Sequence, residues 1–228
     1  MALPLSHNDR ASFDNYWVGN NYELVTALRS IVQAQTIEQS VLYIYGPSGS
    51  GKSHLLFAAM RLAKQDGVQT SYISLSDEHV SVDMLGILDV SNLVFIDSID
   101  AWAGDQDKER ALFTLFEQIK HSGGRLVLAS PQPPESSGFD IRDLISRLMS
   151  GLIYGLHPLT EEQQLDAIKM RANQRGLLIS EETVKFLLKH SSRDNRELFT
   201  VLEQVDQASL VEKRRITVPF IQSLLKNN

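Results

Sequence analysis

The chain has 228 residues, 43% of them hydrophobic and 22% charged, with a net charge of −6. That length allows one large domain, or a medium domain with a small appendage, and the absence of any apolar run of 18 residues excludes a helical membrane span. The lack of cysteine excludes disulfides and thiolate metal sites and fits a cytoplasmic protein, while the acidic balance argues against a chain that grips DNA by itself.

Residues 1–12 are polar and without periodicity, and the first ten lack the basic-then-apolar order of a secretory signal. A flexible tail is expected there, with Leu3, Pro4 and Leu5 as isolated apolar positions. Tyr22 to Val32 has helical spacing, with Leu24, Leu28 and Ile31 on one face. Val41 to Tyr45 is a short continuous apolar run, the pattern of a strand buried on both faces. A Gly-rich loop and a helix from about Lys52 to Gln65 follow. Further strands are expected over Thr70–Leu75, Leu93–Ile96, Leu126–Ala129 and Leu152–Leu156. A helical stripe of Ala111, Leu112, Leu115, Phe116 and Ile119 separates the third strand from the fourth. Alternating strands and helices predict a parallel five-stranded sheet flanked by helices, an α/β domain over 13–158.

Beyond Pro158 the strands stop. Thr160-Glu-Glu-Gln carries a capping signature for a helix to about Arg175, closed by Gly176. Ser180 starts a second helix ending near His190, Asp194 a third to about Lys213, and Thr217 a fourth. Residues 159–228 are therefore expected to form a small helical domain. Lys213-Arg214-Arg215 at a helix end suits the helix dipole and solvent better than a DNA contact. The six histidines are scattered without ligand spacing, so no zinc site is expected.

The chemistry concentrates in Gly46-Pro47-Ser48-Gly49-Ser50-Gly51-Lys52-Ser53, a complete phosphate-binding loop between a strand and a helix. Its glycines let successive N–H groups turn inward onto phosphate oxygens. Lys52 supplies a point charge to the terminal phosphates, Ser53 a hydroxyl to Mg2+, and the helix its positive end. Leu93-Val-Phe-Ile-Asp97 fits the second acidic element, with Asp97 placed to hold the Mg2+ water shell. Asp100 is the alternative, though past the strand end. Many such ATPases follow this aspartate with a second acid; here Ser98 stands there, a poor general base. Tight nucleotide binding with slow hydrolysis is expected.

These motifs resemble those of the AAA+ ATPases and, within them, the DnaA initiator group and its homologous regulators, over almost the whole chain. Ala11 to Asn21 is similar to the segment that lies along the adenine, which implies Trp17 and Val18 near the base; for Trp17, plain core burial is the other reading. Gly46 to Leu55, including His54 after Lys52-Ser53, is similar to the family's phosphate loop. Asp143-Leu-Ile-Ser-Arg147-Leu148 resembles its arginine-finger motif, and Asn195-Arg196-Glu197-Leu198 its sensor 2 motif, with Arg196 directed at the phosphates. Ser130 ends the sensor 1 strand, where Pro131 replaces the family's aspartate. A surface ion pair of Arg147 with Asp143 or Glu135 is the alternative to a finger.

The resemblance implies an ATPase module without DnaA's flanking helicase-interaction and DNA-binding domains. It implies ADP or ATP with Mg2+ as ligands and the DnaA initiator as partner. It further implies docking on the β sliding clamp of DNA polymerase III through Leu3-Pro4-Leu5, although the glutamine that precedes that motif is absent here. DNA would be met only through the clamp, no membrane would be involved, and a homo-oligomer is compatible. The expected activity is negative regulation of replication initiation, with Arg147 acting in trans on ATP bound to DnaA. Three rival readings are a helicase-loader-like AAA+ ATPase, a P-loop small-molecule kinase, and a non-catalytic clamp- or DnaA-binding adaptor whose nucleotide only sets its shape. The acidic charge and short tail disfavour the first, and the placement of Arg147 and Arg196 disfavours the second.

Overall fold

The structure is a computed structural model and describes residues 11–33, 40–174, 176–177, 179–190 and 217–226. Five strands run in parallel: β1 Val41–Tyr45, β2 Thr70–Ser74, β3 Leu93–Asp97, β4 Arg125–Ser130 and β5 Leu152–Gly155. They are ordered β2-β3-β4-β1-β5, so β4 lies between β1 and β3. Register pairs Tyr45 with Ser130 and with Gly155, and Ser74 with Asp97. The ends of β1, β3 and β4 therefore share one edge of the sheet, where the chain leaves toward its helices.

β1, and β3 as far as Ile96, are apolar because both sheet faces are covered. Leu42, Tyr43, Ile44, Leu93, Val94 and Phe95 are fully buried. The helices of this domain are α1 Tyr22–Gln33, α2 Lys52–Gln65, α3 Val82–Leu85, α4 Gln106–Ser122 and α5 Arg142–Met149. α4 begins at Asp105, whose carboxylate accepts the N–H groups of Asp107 and Lys108, and ends at Gly123 with φ 73°. Its apolar stripe, Leu112, Leu115, Phe116 and Ile119, packs in one cluster with Leu144 and Leu148 of α5 and with the sheet. Each such fully buried side chain contributes about 1.5–3 kcal/mol. Arg125 donates to the Ile31 and Val32 carbonyls at 2.6 and 2.8 Å, placing a cation on the open carbonyls at the end of α1.

The chain divides into two units. The first comprises 1–14, 20–47 and 51–157, the second 15–19, 48–50 and 158–228. In the second, α6 Glu161–Gln174, α7 Glu181–His190 and α8 Val218–Lys226 are described. α6 opens with a reciprocal capping box: Gln163 N donates to Thr160 Oγ1 at 3.3 Å, and Thr160 N to Gln163 Oε1 at 3.0 Å. Gly176, at φ 70°, follows its end. Ile168, Ala172, Leu177, Val184, Leu187, Phe220 and Ile221 form the core of this unit. The third helix expected after Asp194, and the Lys213-Arg214-Arg215 cluster, lie outside the described residues.

The strand expectations are met to within one residue at each end. α5 was not expected: its eight residues are too few for helical periodicity to stand out beside the strand that follows. Among the described residues, no helix is long and apolar enough to cross a membrane.

Candidate functional site

The phosphate loop leaves β1 at Gly46, whose N–H donates to the Ser130 carbonyl at 3.2 Å, tying the loop's start to the end of β4. The loop then turns through Gly49 at φ 72° and Gly51 at φ 100°. Both values lie in the left-handed region, open to glycine at no steric cost. That requirement is the physical reason for glycine at these two positions. Lys52 opens α2, and its Nζ donates to the Gly46 and Pro47 carbonyls at 2.6 and 3.0 Å. The ammonium is thereby held against the loop. Pro47 and Ser48 are exposed. The Ser50 hydroxyl is buried and makes no hydrogen bond among the described residues.

At the end of β3, Asp97 is 5% exposed. Its Oδ2 accepts from Ser53 Oγ at 2.6 Å and from the Tyr72 hydroxyl at 3.4 Å, and its Oδ1 from Ser98 N at 2.8 Å. Ser53 and Asp97, separated by 44 residues, are thus brought together. Ser98 takes φ 54°, a left-handed conformation unusual for a residue with a side chain, and a short 3-10 turn, Ile99–Trp102, follows. That turn carries Asp100 into the influence of Lys52, Asp97 and Ser130. Burial raises the Asp100 carboxyl above its ordinary range, against the opposing pull of Lys52 and Ser130. Its Oδ1 is buried without a hydrogen bond among the described residues.

Ser130 is fully buried. Its hydroxyl accepts from Gln132 N at 3.4 Å and lies against Tyr43 and Asp100. Tyr43 donates to the Gln132 carbonyl at 3.0 Å, and burial pushes its phenol up to about 12. Burial, and then the Asp97 carboxylate, raise the Tyr72 phenol as well. His54 contacts the Ser12 carbonyl through Nε2 at 3.1 Å, anchoring the segment before α1. Trp17 and Val18 are half-buried, and the Trp17 ring sits near Gly19 in a neighbourhood shared with Leu159 and Gln163.

Arg147, in the last turn of α5, pairs with neither Asp143 nor Glu135. Its Nε lies 2.7 Å from Glu117 Oε1 on α4, with the two side chains 37% and 40% exposed. The approach is an ion contact without hydrogen-bond alignment, since Oε1 is buried and has no aligned donor. The other end of α5 is also held by α4. Glu109 is fully buried, and its carboxylate accepts from Gly104 N at 2.8 Å, from Asp140 N at 3.1 and 2.9 Å, and from Ile141 N at 2.8 Å. Ile141 is the residue that opens α5 and has no side-chain cap of its own, so Glu109 caps the helix from outside.

Leu3, Pro4, Leu5 and Arg196 lie outside the described residues. The sequence reading missed Tyr72, Glu109 and Glu117 and set Asp100 aside. Each acts through a contact made by the fold, and none carries a local motif. Alternation along β2 was the only signal available for Tyr72.

The donors fit a nucleotide with Mg2+. The loop offers its backbone N–H groups, the Ser50 hydroxyl and the Lys52 cation. Ser53 and Asp97 offer hard oxygens of the kind Mg2+ takes alongside phosphate and water. Among the described residues no group of three or more His, Cys, Asp or Glu could hold a metal ion.

The fold and loop define a P-loop AAA+ module: a five-stranded parallel α/β domain followed by a helical lid. Residues 7–157 match the model of the bacterial DnaA ATPase domain, and residues 161–225 match that of the Hda lid domain. The chain belongs to the DnaA ATPase family and, with that lid, is an Hda-type DnaA-homologous protein.

Similar solved structures include domain III of the Thermotoga maritima replication initiation protein DnaA, with TM-score 0.80 and 22% identity over 99% of this chain and 98% of that one. AMPPCP-bound DnaA from Aquifex aeolicus gives TM-score 0.68 and 22% identity over 86% of this chain and 65% of that one. The Thermotoga maritima RuvB Holliday junction branch migration motor gives TM-score 0.70 and 19% identity, over 96% and 72%. At these identities the likeness is one of fold.

Proposed function

We propose that this protein is a regulator that inactivates the DnaA initiator. Together with the β sliding clamp loaded on DNA, it promotes hydrolysis of DnaA-bound ATP and so restrains re-initiation of replication. The observation that carries this reading is Arg147. It is a partly exposed cation in the family's finger motif, and its ion pair is with Glu117 rather than with the chain's own phosphate site. A guanidinium so placed can be offered to a transferring phosphoryl group across a subunit boundary, where such fingers contribute about 10³–10⁵ in rate.

The chain's own site serves binding more than hydrolysis. Ser98 stands where a second acid would polarise water, and its N–H is spent on Asp97. ADP or ATP would be held by the loop from Pro47 to His54, with Trp17 and Val18 toward the base and Arg196 toward the phosphates. Ser130 would sense the phosphate side from behind Asp100. Mg2+, when bound, neutralises phosphate charge, and Ser53 and Asp97 would hold its water shell. Leu3-Pro4-Leu5 would dock on the clamp, so that DNA is met only through it. Such an assembly works in the cytoplasm.

The test is hydrolysis of DnaA-bound ATP with DNA-loaded clamp, with and without this protein. Stimulation by the wild type and its loss in Arg147→Ala are expected; no stimulation by the wild type would sink the reading. Lys52→Ala is expected to lose nucleotide affinity at least ten-fold in equilibrium titration, which separates nucleotide binding from finger presentation.

A further inference from the structure

We propose that Glu117 is the positioning residue for Arg147, holding its guanidinium in place at the end of α5 through charge; the inference rests on the finger reading above. Three observations carry it. The approach of Arg147 Nε to Glu117 Oε1 is 2.7 Å, from one helix to the next and without hydrogen-bond alignment. The two-pronged arrangement of parallel hydrogen bonds, the stronger one, is not made with this oxygen. The donors of the guanidinium are therefore not spent on Glu117 Oε1.

Second, Glu117 Oε1 is buried and has no aligned hydrogen-bond donor, although its side chain as a whole is 40% exposed. An acceptor stripped of water is costly to leave unserved, so this oxygen keeps the cation beside it more firmly than an open surface pair would.

Third, Glu117 belongs to a two-point mount. Glu109 and Glu117 lie on α4 about 12 Å apart along its axis. Glu109 fixes the N-terminal end of α5 through the N–H groups of Asp140 and Ile141, and Glu117 fixes the arginine in its last turn. Between them Leu144 and Leu148 pack in the cluster that holds α4. The helix is thus held in position at both ends, and the final rotamers of a long side chain are narrowed by one carboxylate. Arginine is rich in rotamers, so a side chain ordered in advance loses less entropy at the transition state.

The experiment compares wild type, Glu117→Ala, Glu117→Gln and Arg147→Ala as full-length proteins, in the clamp-dependent DnaA ATP hydrolysis assay and by NMR of the Arg147 Nε–Hε group. Arg147→Ala identifies that signal by its loss. Glu117→Ala is expected to lower the saturating stimulated rate about three- to ten-fold, to leave the half-saturating concentration of protein unchanged, and to broaden the Nε–Hε signal. Glu117→Gln, which keeps the reach but removes the charge on which the unaligned contact rests, is expected to behave like Glu117→Ala. A Glu117→Ala protein acting at the wild-type rate or faster overturns the proposal. So does a Glu117→Gln protein acting at the wild-type rate, or an Nε–Hε signal equally ordered in wild type and Glu117→Ala. Full stimulation by Arg147→Ala is a different result: it removes the finger reading, and with it this inference, while the NMR signal still reports whether Glu117 orders the arginine.

Discussion

Ser53 Oγ donates to Asp97 Oδ2 across 2.6 Å, joining the first turn of the helix after the phosphate loop to the end of β3. Two oxygens in this relation can grip a hydrated divalent cation together. Each is also held by its own backbone element, so neither must be recruited when the cation arrives.

Asp97→Asn is therefore expected to act on the Mg2+-dependent part of nucleotide binding. Titration of a fluorescent ADP analogue with Mg2+ should show about ten-fold weaker binding. The same titration in EDTA should show little change. Equal losses in both conditions would mean that Asp97 only supports the loop.

Glu109 gives the largest stability effect. It is fully buried and serves three backbone N–H groups, those of Gly104, Asp140 and Ile141. Glu109→Ala leaves those donors without water or partner, at about 1–3 kcal/mol for each. Denaturant unfolding should show a loss of at least about 3 kcal/mol, and hydrogen exchange should quicken at Asp140 and Ile141 before it does in β1. An unchanged midpoint would contradict the role of Glu109 as the external cap of α5.

Asp100 predicts the opposite sign. Burial raises its carboxyl, and one oxygen lacks a partner among the described residues, so folding makes its ionisation harder. The resulting penalty is absent below the unfolded pKa and fully present above the raised folded value. Asp100→Asn should therefore raise Tm by about 2–4 °C at neutral pH and by nothing near pH 3. Scanning calorimetry at the two pH values checks this.

In the helical unit, Lys169 and Lys185 each lie 2.8 Å from Glu181, and their hydrogen bonds bring its carboxyl from 4.5 down to about 2. A depressed carboxylate stabilises the fold above its unfolded pKa, and that contribution is lost as the pH falls from 4.5 toward 2. The cluster is exposed and screened by salt. Glu181→Gln should lower Tm by no more than about 1–2 °C at pH 7 in dilute buffer, and by nothing measurable at pH 2 or in 1 M salt.

Much of this was legible in the sequence. The candidate phosphate loop was readable because the left-handed turns at Gly49 and Gly51 and the placing of Lys52 and Ser53 at the start of α2 are chain-local, which fixed spacing preserves. The five strands were readable because strands buried on both faces leave continuous apolar runs. The capping box at Thr160 and Gln163 was readable because its two members are three residues apart. Helix α5 was missed because eight residues give barely two turns of periodicity. The partner of Arg147 was missed because its local acids, Asp143 and Glu135, were the visible candidates, whereas Glu117 approaches from another helix.

The sequence by itself determined that this protein carries a loop shaped for phosphate, an aspartate at the end of an apolar strand, and a family-type arginine. Those features rest on short-range backbone geometry and on which residues shun water. Only the tertiary structure decided which carboxylates those groups meet. Parallel pairing of β3, β4 and β1 brings Ser53, Asp97, Asp100 and Ser130 to one sheet edge, and packing of α4 against α5 gives Arg147 to Glu117 and the start of its helix to Glu109. An electrostatic contact depends on distance in space, and separations of 30 and 44 residues become a few ångströms only when the core closes.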